Sequence, residues 1–371
     1  MRILHCLRAP VGGLFRHVLD LASEQAARGH EVGILADSNA ADRLTASKFA
    51  AIEPAMKLGI SRIPMGRQPG LGDFRAYQSV LRHARPLNLD VLHGHGAKGG
   101  AYARLATRTL KKEGQSVRAF YTPHGGSLNF KPGTFEGRLF LGIEGLLERH
   151  TGGLIFESAY AARVYRERVN AAGAPERIIP NGLQADDFTS FSPAADASDF
   201  LFIGELRPIK GVEYLLQALA ALNATRRVTA TIVGSGPNAD GLKRQSAALG
   251  LSQSVRFTGA LPAREALRLG RVMVVASLSE SFPYVVLEAA AAGLPLVSTS
   301  VGGIPEIVAG TDTELIPPGD ADALAAAMRA ALDHPEAALA RAKRLRENVS
   351  SKYTVAGMTS AVLDFYALTV G

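Results

Sequence analysis

VMVVASLSESFPYVVLEAAAAGLPLVST, residues 272–299, decides the fold. Val272 to Leu278 is a short apolar run that breaks into Ser279-Glu280-Ser281, a strand followed by a loop. Pro283 suits the first turn of a helix and Gly293 stands where a C-terminal cap belongs. Leu294 to Thr299 then reads as a second buried strand. Strand, loop, helix and strand in about thirty residues is one unit of a parallel α/β sheet.

The same alternation runs from end to end. Strands are predicted at Arg2 to Leu7, Glu31 to Ala36, Val91 to His93, Ala119 to Thr122 and Gly153 to Glu157. Between the first two, Val18 to Arg28 reads as a helix ended by Gly29. A second series covers Phe200 to Gly204, Ala230 to Gly234, Val255 to Thr258, Val272 to Ala276 and Leu294 to Ser298. The turn-forming cluster Ile179-Pro180-Asn181-Gly182 separates the two series. The fold class is therefore α/β, with two Rossmann-like doubly wound parallel-sheet domains: residues 1–180 and residues 181–352. No repeat of solenoid period is present.

Composition narrows the class. The chain has 371 residues, 47% apolar and 20% charged, enough for two full cores. Cys6 is the single cysteine and lies in a strand, so it reads as an inert core thiol in a reducing compartment. No run of about twenty uncharged apolar residues exists, and Met1 to Ala9 lacks the length of a secretory signal, so a cytoplasmic protein is expected. Residues 1–180 carry 25 Lys+Arg against 15 Asp+Glu, a balance of +10. The remaining residues carry 16 against 19, a balance of −3. A basic first half suits an anionic partner, including a peripheral contact with an anionic membrane at its inner face. The positives are dispersed and not interleaved with aromatics, which argues against nucleic acid.

Glu280 lies at a strand's C-terminal end and Glu288 in the helix beyond it. In open parallel sheets that edge is where ligands bind, and a helix N-terminus there favours phosphate. Two carboxylates at such an edge can accept hydrogen bonds from the hydroxyls of a sugar or a ribose. A pair of solvated helix-end charges is the competing reading.

The segment from Glu280 to Glu306 resembles the E-x7-E region of retaining glycosyltransferases of family 4. The likeness extends over nearly the whole chain. Val11-Gly-Gly-Leu-Phe-Arg-His-Val-Leu-Asp-Leu21 with Arg28-Gly-His-Glu-Val32 is similar to the family's opening Gly-Gly loop and helix. Gly204-Glu-Leu-Arg-Pro-Ile-Lys-Gly211 sits at its phosphate-binding loop and Val233-Gly-Ser-Gly-Pro237 at its next strand end. The resemblance implies the GT-B arrangement, with an interdomain cleft, an N-terminal acceptor domain and a C-terminal nucleotide-sugar donor domain. It also implies that a last helix, about residues 353–371, packs back on the first domain through Val355, Met358, Val362 and Phe365.

Site roles follow from the same likeness. Glu280 would hold the donor sugar's hydroxyls and Glu288 the ribose, with backbone amides of Phe282, Pro283 and Tyr284 spanning the sugar site. Gly13 allows close backbone approach near the donor phosphate or the acceptor. Lys210 and Arg207 can neutralise the diphosphate, although the commonest family pattern has Arg directly after the loop's first glycine, where this chain has Glu205. His124 in Tyr121-Thr-Pro-His-Gly-Gly126 matches the histidine of the first-domain catalytic loop and would face the donor. His93 and His95 share a strand face but have no further ligands of suitable spacing nearby in sequence, so they read as cleft-lining or structural and no metal is expected. Gly234-Ser-Gly-Pro-Asn-Ala239 formally satisfies a dinucleotide fingerprint, yet the acidic residue expected about 20 positions on is absent.

The expected activity is a metal-independent, retaining transfer from a UDP- or GDP-sugar to a hydroxyl of a saccharide or lipid-linked acceptor, with no cofactor. Biosynthesis of a cell-surface polysaccharide or of a glycolipid is the expected setting. First-domain loops at Arg62 to Asp73 and residues 127–137 would shape the acceptor site. A GT-B nucleotide-sugar epimerase and a catalytically silent nucleotide-sugar-binding protein remain as alternatives.

Overall fold

The computed structural model describes every residue except positions 40–42, 69, 127–131, 170–172, 190, 191 and 371. Part of the loop 127–137 assigned to the acceptor, and the last position of the final helix, therefore lie outside the described residues. The chain divides into two compact units: Met1–Gly182 with Val355–Gly371, and Leu183–Thr354.

The first unit is built on seven strands: β1 (Arg2–Leu7), β2 (Glu31–Asp37), β3 (Ile60–Ile63), β4 (Val91–His95), β5 (Arg118–Thr122), β6 (Gly153–Phe156) and β7 (Glu176–Ile178). They pair in the order β3-β2-β1-β4-β5-β6-β7, all parallel. Strands β1, β4, β5 and β6 are almost continuously buried, as a sheet covered on both faces requires. The helix Gly12–Ala27 covers one face with Phe15, Val18, Leu21, Ala22 and Gln25. It starts six residues earlier than periodicity alone suggested, because Gly12 adopts φ +63 at the turn out of β1. The helix Val355–Val370 belongs to this unit, and its Val355, Met358, Val362 and Phe365 pack with Ile3, Leu21, Val91 and Phe120.

The second unit has six strands: β8 (Ser198–Ile203), β9 (Ala230–Val233), β10 (Val255–Gly259), β11 (Gly270–Val275), β12 (Leu296–Thr299) and β13 (Leu315–Ile316). Their order is β10-β9-β8-β11-β12-β13, again all parallel. Renumbered within the unit this is 3-2-1-4-5-6, a doubly wound sheet whose strand order reverses between β8 and β11. In the first sheet the reversal falls between β1 and β4. The loops leaving β1, β4, β8 and β11 are thus the positions where such sheets hold ligands. Among the described residues, no helix is long and apolar enough to cross a membrane.

Candidate active site

The helix Tyr284–Ala291 follows β11 with Pro283 at its N-cap, and Gly293 beyond its C-cap has φ +72. Glu280 stands on the loop between β11 and this helix, and Glu288 lies on the helix, partly exposed. On the other side of the strand-order reversal, Pro208–Lys210 forms one turn of 3-10 helix after β8. Lys210 Nζ donates to Glu280 Oε1 at 2.6 Å, and Ser277 Oγ donates to the same oxygen at 2.6 Å. Leu278 N–H donates to Ile209 C=O at 2.8 Å, so the two loops are also joined by backbone. One carboxylate oxygen therefore collects a cation and a hydroxyl.

Two close approaches hold this arrangement. Gly302 has φ +59, and a Cβ there would overlap the Glu280 carbonyl oxygen. Gly303 N–H donates to Ser281 C=O at 2.8 Å, so the loop after β12 supports the Glu280 loop from behind. Gly234, at φ +148, lies so close to the Gly204 carbonyl that no side chain fits. The formal dinucleotide fingerprint is thereby given a structural use, with Leu206 N–H donating to Ser235 C=O at 2.9 Å to seat the 204–211 loop.

The other second-unit candidates are placed less uniformly. Arg207 is exposed and pairs with Glu205 at 3.2 Å, the residue that stands where the family's usual arginine would be. Phe282 and Tyr284 are buried in the core of this unit, Phe282 edge-on to Tyr353 at 5.4 Å between ring centres. Gly13 is exposed in the first turn of the helix after β1.

In the first unit, folding assembles a group of histidines. Parallel register sets His5 beside His93 and Leu7 beside His95, and alternation puts all three imidazoles on one face. His17 comes from the helix Gly12–Ala27 and His124 from the loop after β5. His5 Nδ1 lies 3.0 Å from His95 Nε2, and His5 Nε2 lies 2.8 Å from Gln25 Oε1. His93 contacts the Tyr366 hydroxyl at 2.6 Å through Nδ1 and the Thr122 hydroxyl at 2.9 Å through Nε2. His95 Nδ1 lies 3.1 Å from His124 Nε2, and His124 Nδ1 pairs with the Glu157 carboxylate. His17 Nδ1 lies 2.8 Å from Asn181 Oδ1. Burial disfavours the charged imidazoles: it lowers His5 to about 4 and His17 to about 3, and holds His93 and His95 well below the usual range.

His124 has φ +51, one of two non-glycine residues in the left-handed region among the described residues. Such a conformation persists where neighbours over-determine it, and Glu157 and His95 do so here. Sequence reasoning found His93, His95 and His124 but missed His5, His17, Glu157 and Ser277. The expectation that His93 and His95 lack neighbouring ligands considered sequence spacing alone; the pairing of β1 with β4, the helix after β1 and the loop after β5 bring three further imidazoles to them.

Residues 12–182 match the family described as "Glycosyl transferase 4-like domain" and residues 197–334 match "Glycosyl transferases group 1". The glycogen synthase of Mycobacterium tuberculosis is 30% identical over 381 residues, covering 95% of this chain and 91% of that protein. The phosphatidyl-myo-inositol mannosyltransferase of Mycolicibacterium smegmatis is 27% identical, covering 97% and 91%. Among solved structures, Anabaena HepE in complex with UDP and glucose superposes with a TM-score of 0.83 at 20% identity, covering 99% of this chain and 100% of that one.

Proposed function

The chain belongs to glycosyltransferase family 4 and has the GT-B fold, and from that premise we propose that it moves a sugar from a UDP- or GDP-sugar to a hydroxyl acceptor with retention of configuration. The observation that carries this reading is the Lys210–Glu280 pair at the strand-order reversal of the second sheet. A cation suited to a diphosphate and a carboxylate suited to sugar hydroxyls are held there in one hydrogen-bonded unit. A structural relative bound to UDP and glucose supports a nucleotide-sugar as donor.

Glu280 is assigned to the transferred sugar, Glu288 to the ribose, and Lys210 with Arg207 to the diphosphate. Stabilising the charge that builds on the departing phosphate is the main electrostatic task of such a site. Lys210 supplies that charge, so no metal ion is assigned to the diphosphate. His124, Gly13 and the backbone from Phe282 to Tyr284 are assigned to the donor on the family resemblance. The acceptor is proposed to be a saccharide or a lipid-linked saccharide in polysaccharide or glycolipid biosynthesis. The +10 balance of residues 1–180 supports an anionic lipid carrier or membrane surface near it.

A panel of UDP- and GDP-sugars, scored for thermal stabilisation and for nucleoside diphosphate release, tests this reading. One donor is expected to raise the melting temperature and to release its diphosphate slowly to water and faster with acceptor. Absence of stabilisation by every nucleotide-sugar, or unchanged turnover in Glu280→Ala, would refute it.

A further inference from the structure

The histidines of the first unit leave lone pairs facing one another. A carboxylate accepts and does not donate, so the His124 Nδ1–H points to Glu157 and the neutral ring has its lone pair on Nε2. Asn181 Oδ1 accepts from His17 Nδ1–H, which leaves the lone pair of that ring on Nε2. Gln25 Oε1 accepts from His5 Nε2–H; His5 Nδ1 then accepts from His95 Nε2–H, and the lone pair of His95 falls on Nδ1. His95 Nδ1 and His124 Nε2 therefore face each other at 3.1 Å with no proton between neutral rings. One ring nitrogen from each of His17, His95 and His124 lies within 4.8 Å of the others. Among the described residues His17 Nε2 has no hydrogen-bond partner, although His17 is only 1% exposed.

A proton can join His124 to His95, but it leaves His17 Nε2 unmatched. A metal ion can engage all three nitrogens. We infer that His17, His95 and His124 form a tris-imidazole site for a divalent transition-metal ion of the Zn2+ class.

Three further features fit. Zn2+ holds imidazole nitrogens at about 2.0–2.1 Å, which sets them about 3.3 Å apart in a tetrahedron, near the 3.1 Å seen between His95 and His124. Metal-bound histidines characteristically donate their other ring N–H to a carboxylate or another fixed acceptor. Here each does: His124 to Glu157, His17 to Asn181, and His95 to His5 with Gln25 behind it. Ligand histidines must also offer a lone pair, and the acceptors at the other ring nitrogen leave one on each of the three rings. Three protein ligands leave the fourth tetrahedral position to a small molecule. An all-nitrogen set suits Zn2+, Co2+, Ni2+ or Cu2+; an ion bridging a diphosphate is typically Mg2+ with oxygen ligands, so this site is distinct in kind from a donor-phosphate metal.

The test uses the tag-free 371-residue chain, stripped with chelator and titrated with Zn2+ by calorimetry and with Co2+ by visible spectroscopy. One ion per chain is expected, with the intense d–d bands of tetrahedral cobalt and a raised melting temperature. Glu157→Gln should weaken Zn2+ binding about 10- to 100-fold, and His17→Gln should weaken it at least as much. X-ray absorption on the wild-type protein provides a readout that does not depend on a variant folding, with three nitrogen neighbours expected at about 2.0–2.1 Å. Absence of Co2+ bands and of Zn2+ heat overturns the proposal, as does unchanged affinity in both variants. A metal shell made of oxygen alone also overturns it, as does an imidazolium signal from His124 together with no metal uptake, the outcome for a proton as sole occupant.

Discussion

Lys210 Nζ lies 2.6 Å from Glu280 Oε1 although 70 residues separate them in the chain. The contact joins the loops after β8 and β11, the two strands between which the order of the second sheet reverses. Glu280 has 9% of its side chain exposed and Lys210 24%, so the pair is shielded and its charge-assisted bond is stronger than a surface pair's.

Lys210→Ala and Glu280→Ala should each lower kcat about 10²- to 10³-fold, the cost of removing one preorganised electrostatic partner. The double variant should lose little more than the worse single one, because the residues act as a unit. Steady-state kinetics of the four proteins would decide it; strict additivity contradicts a joint role.

Glu288→Ala should act mainly on KM for the donor, raising it roughly 10- to 100-fold, the worth of a hydrogen bond to a charged group. Under the proposed division of labour, Glu280→Ala acts mainly on kcat. The same pattern of KM and kcat effects in both variants would remove that division.

Gly302→Ala introduces a Cβ against the Glu280 carbonyl at φ +59. Strain of this kind costs about 1–3 kcal/mol, and part of it is expected to be relieved by displacing Glu280. The variant should melt earlier and lose kcat, whereas wild-type values for both would show that the Gly302 backbone does not support the Glu280 loop.

Arg104 and Glu144 form a buried pair in the first unit, with side chains 0% and 4% exposed and Nη2 2.6 Å from Oε2. The Tyr121 hydroxyl donates to the other carboxylate oxygen at 2.8 Å, and the guanidinium lies over the Tyr121 ring at 4.0 Å. Glu144→Leu should cost about 3–5 kcal/mol by leaving a buried cation uncompensated. Arg104→Met combined with Glu144→Leu should recover part of that loss. Urea denaturation measures both.

Burial pushes the Cys6 thiol from 9.0 up to about 12. The native chain should resist alkylation at pH 8 and react fully in denaturant. The folded state keeps the thiol proton through a window where the unfolded chain loses it. This group's contribution therefore falls as pH rises from 9.0 to about 12, by about 1.4 kcal/mol per pH unit. Rapid alkylation of the native protein at pH 8 would contradict its burial.

The buried strands were legible because a strand covered on both faces must be a continuous apolar run, as at Val272–Val275 and Ala230–Val233. Strands β3, β7 and β13 were not. Glu176–Ile178 and Leu315–Ile316 are short and partly exposed edge strands, and Ile60–Ile63 includes Arg62, so none carries a distinctive apolar pattern. Glu280 was legible because its loop, helix and following strand are contiguous. Ser277 and Gly302 escaped notice because their importance lies in what they touch.

By itself the sequence determined the two α/β domains, the strand-end loops and the chemistry available on each, since these depend on local periodicity and turn-forming residues. Only the tertiary structure decided that Lys210 meets Glu280 and that His5, His17, His93, His95 and His124 share one buried cluster. The physical reason is register. Alternation tells which face of its own strand a side chain takes, but which strands become neighbours, and at what offset, is set by packing across the whole sheet.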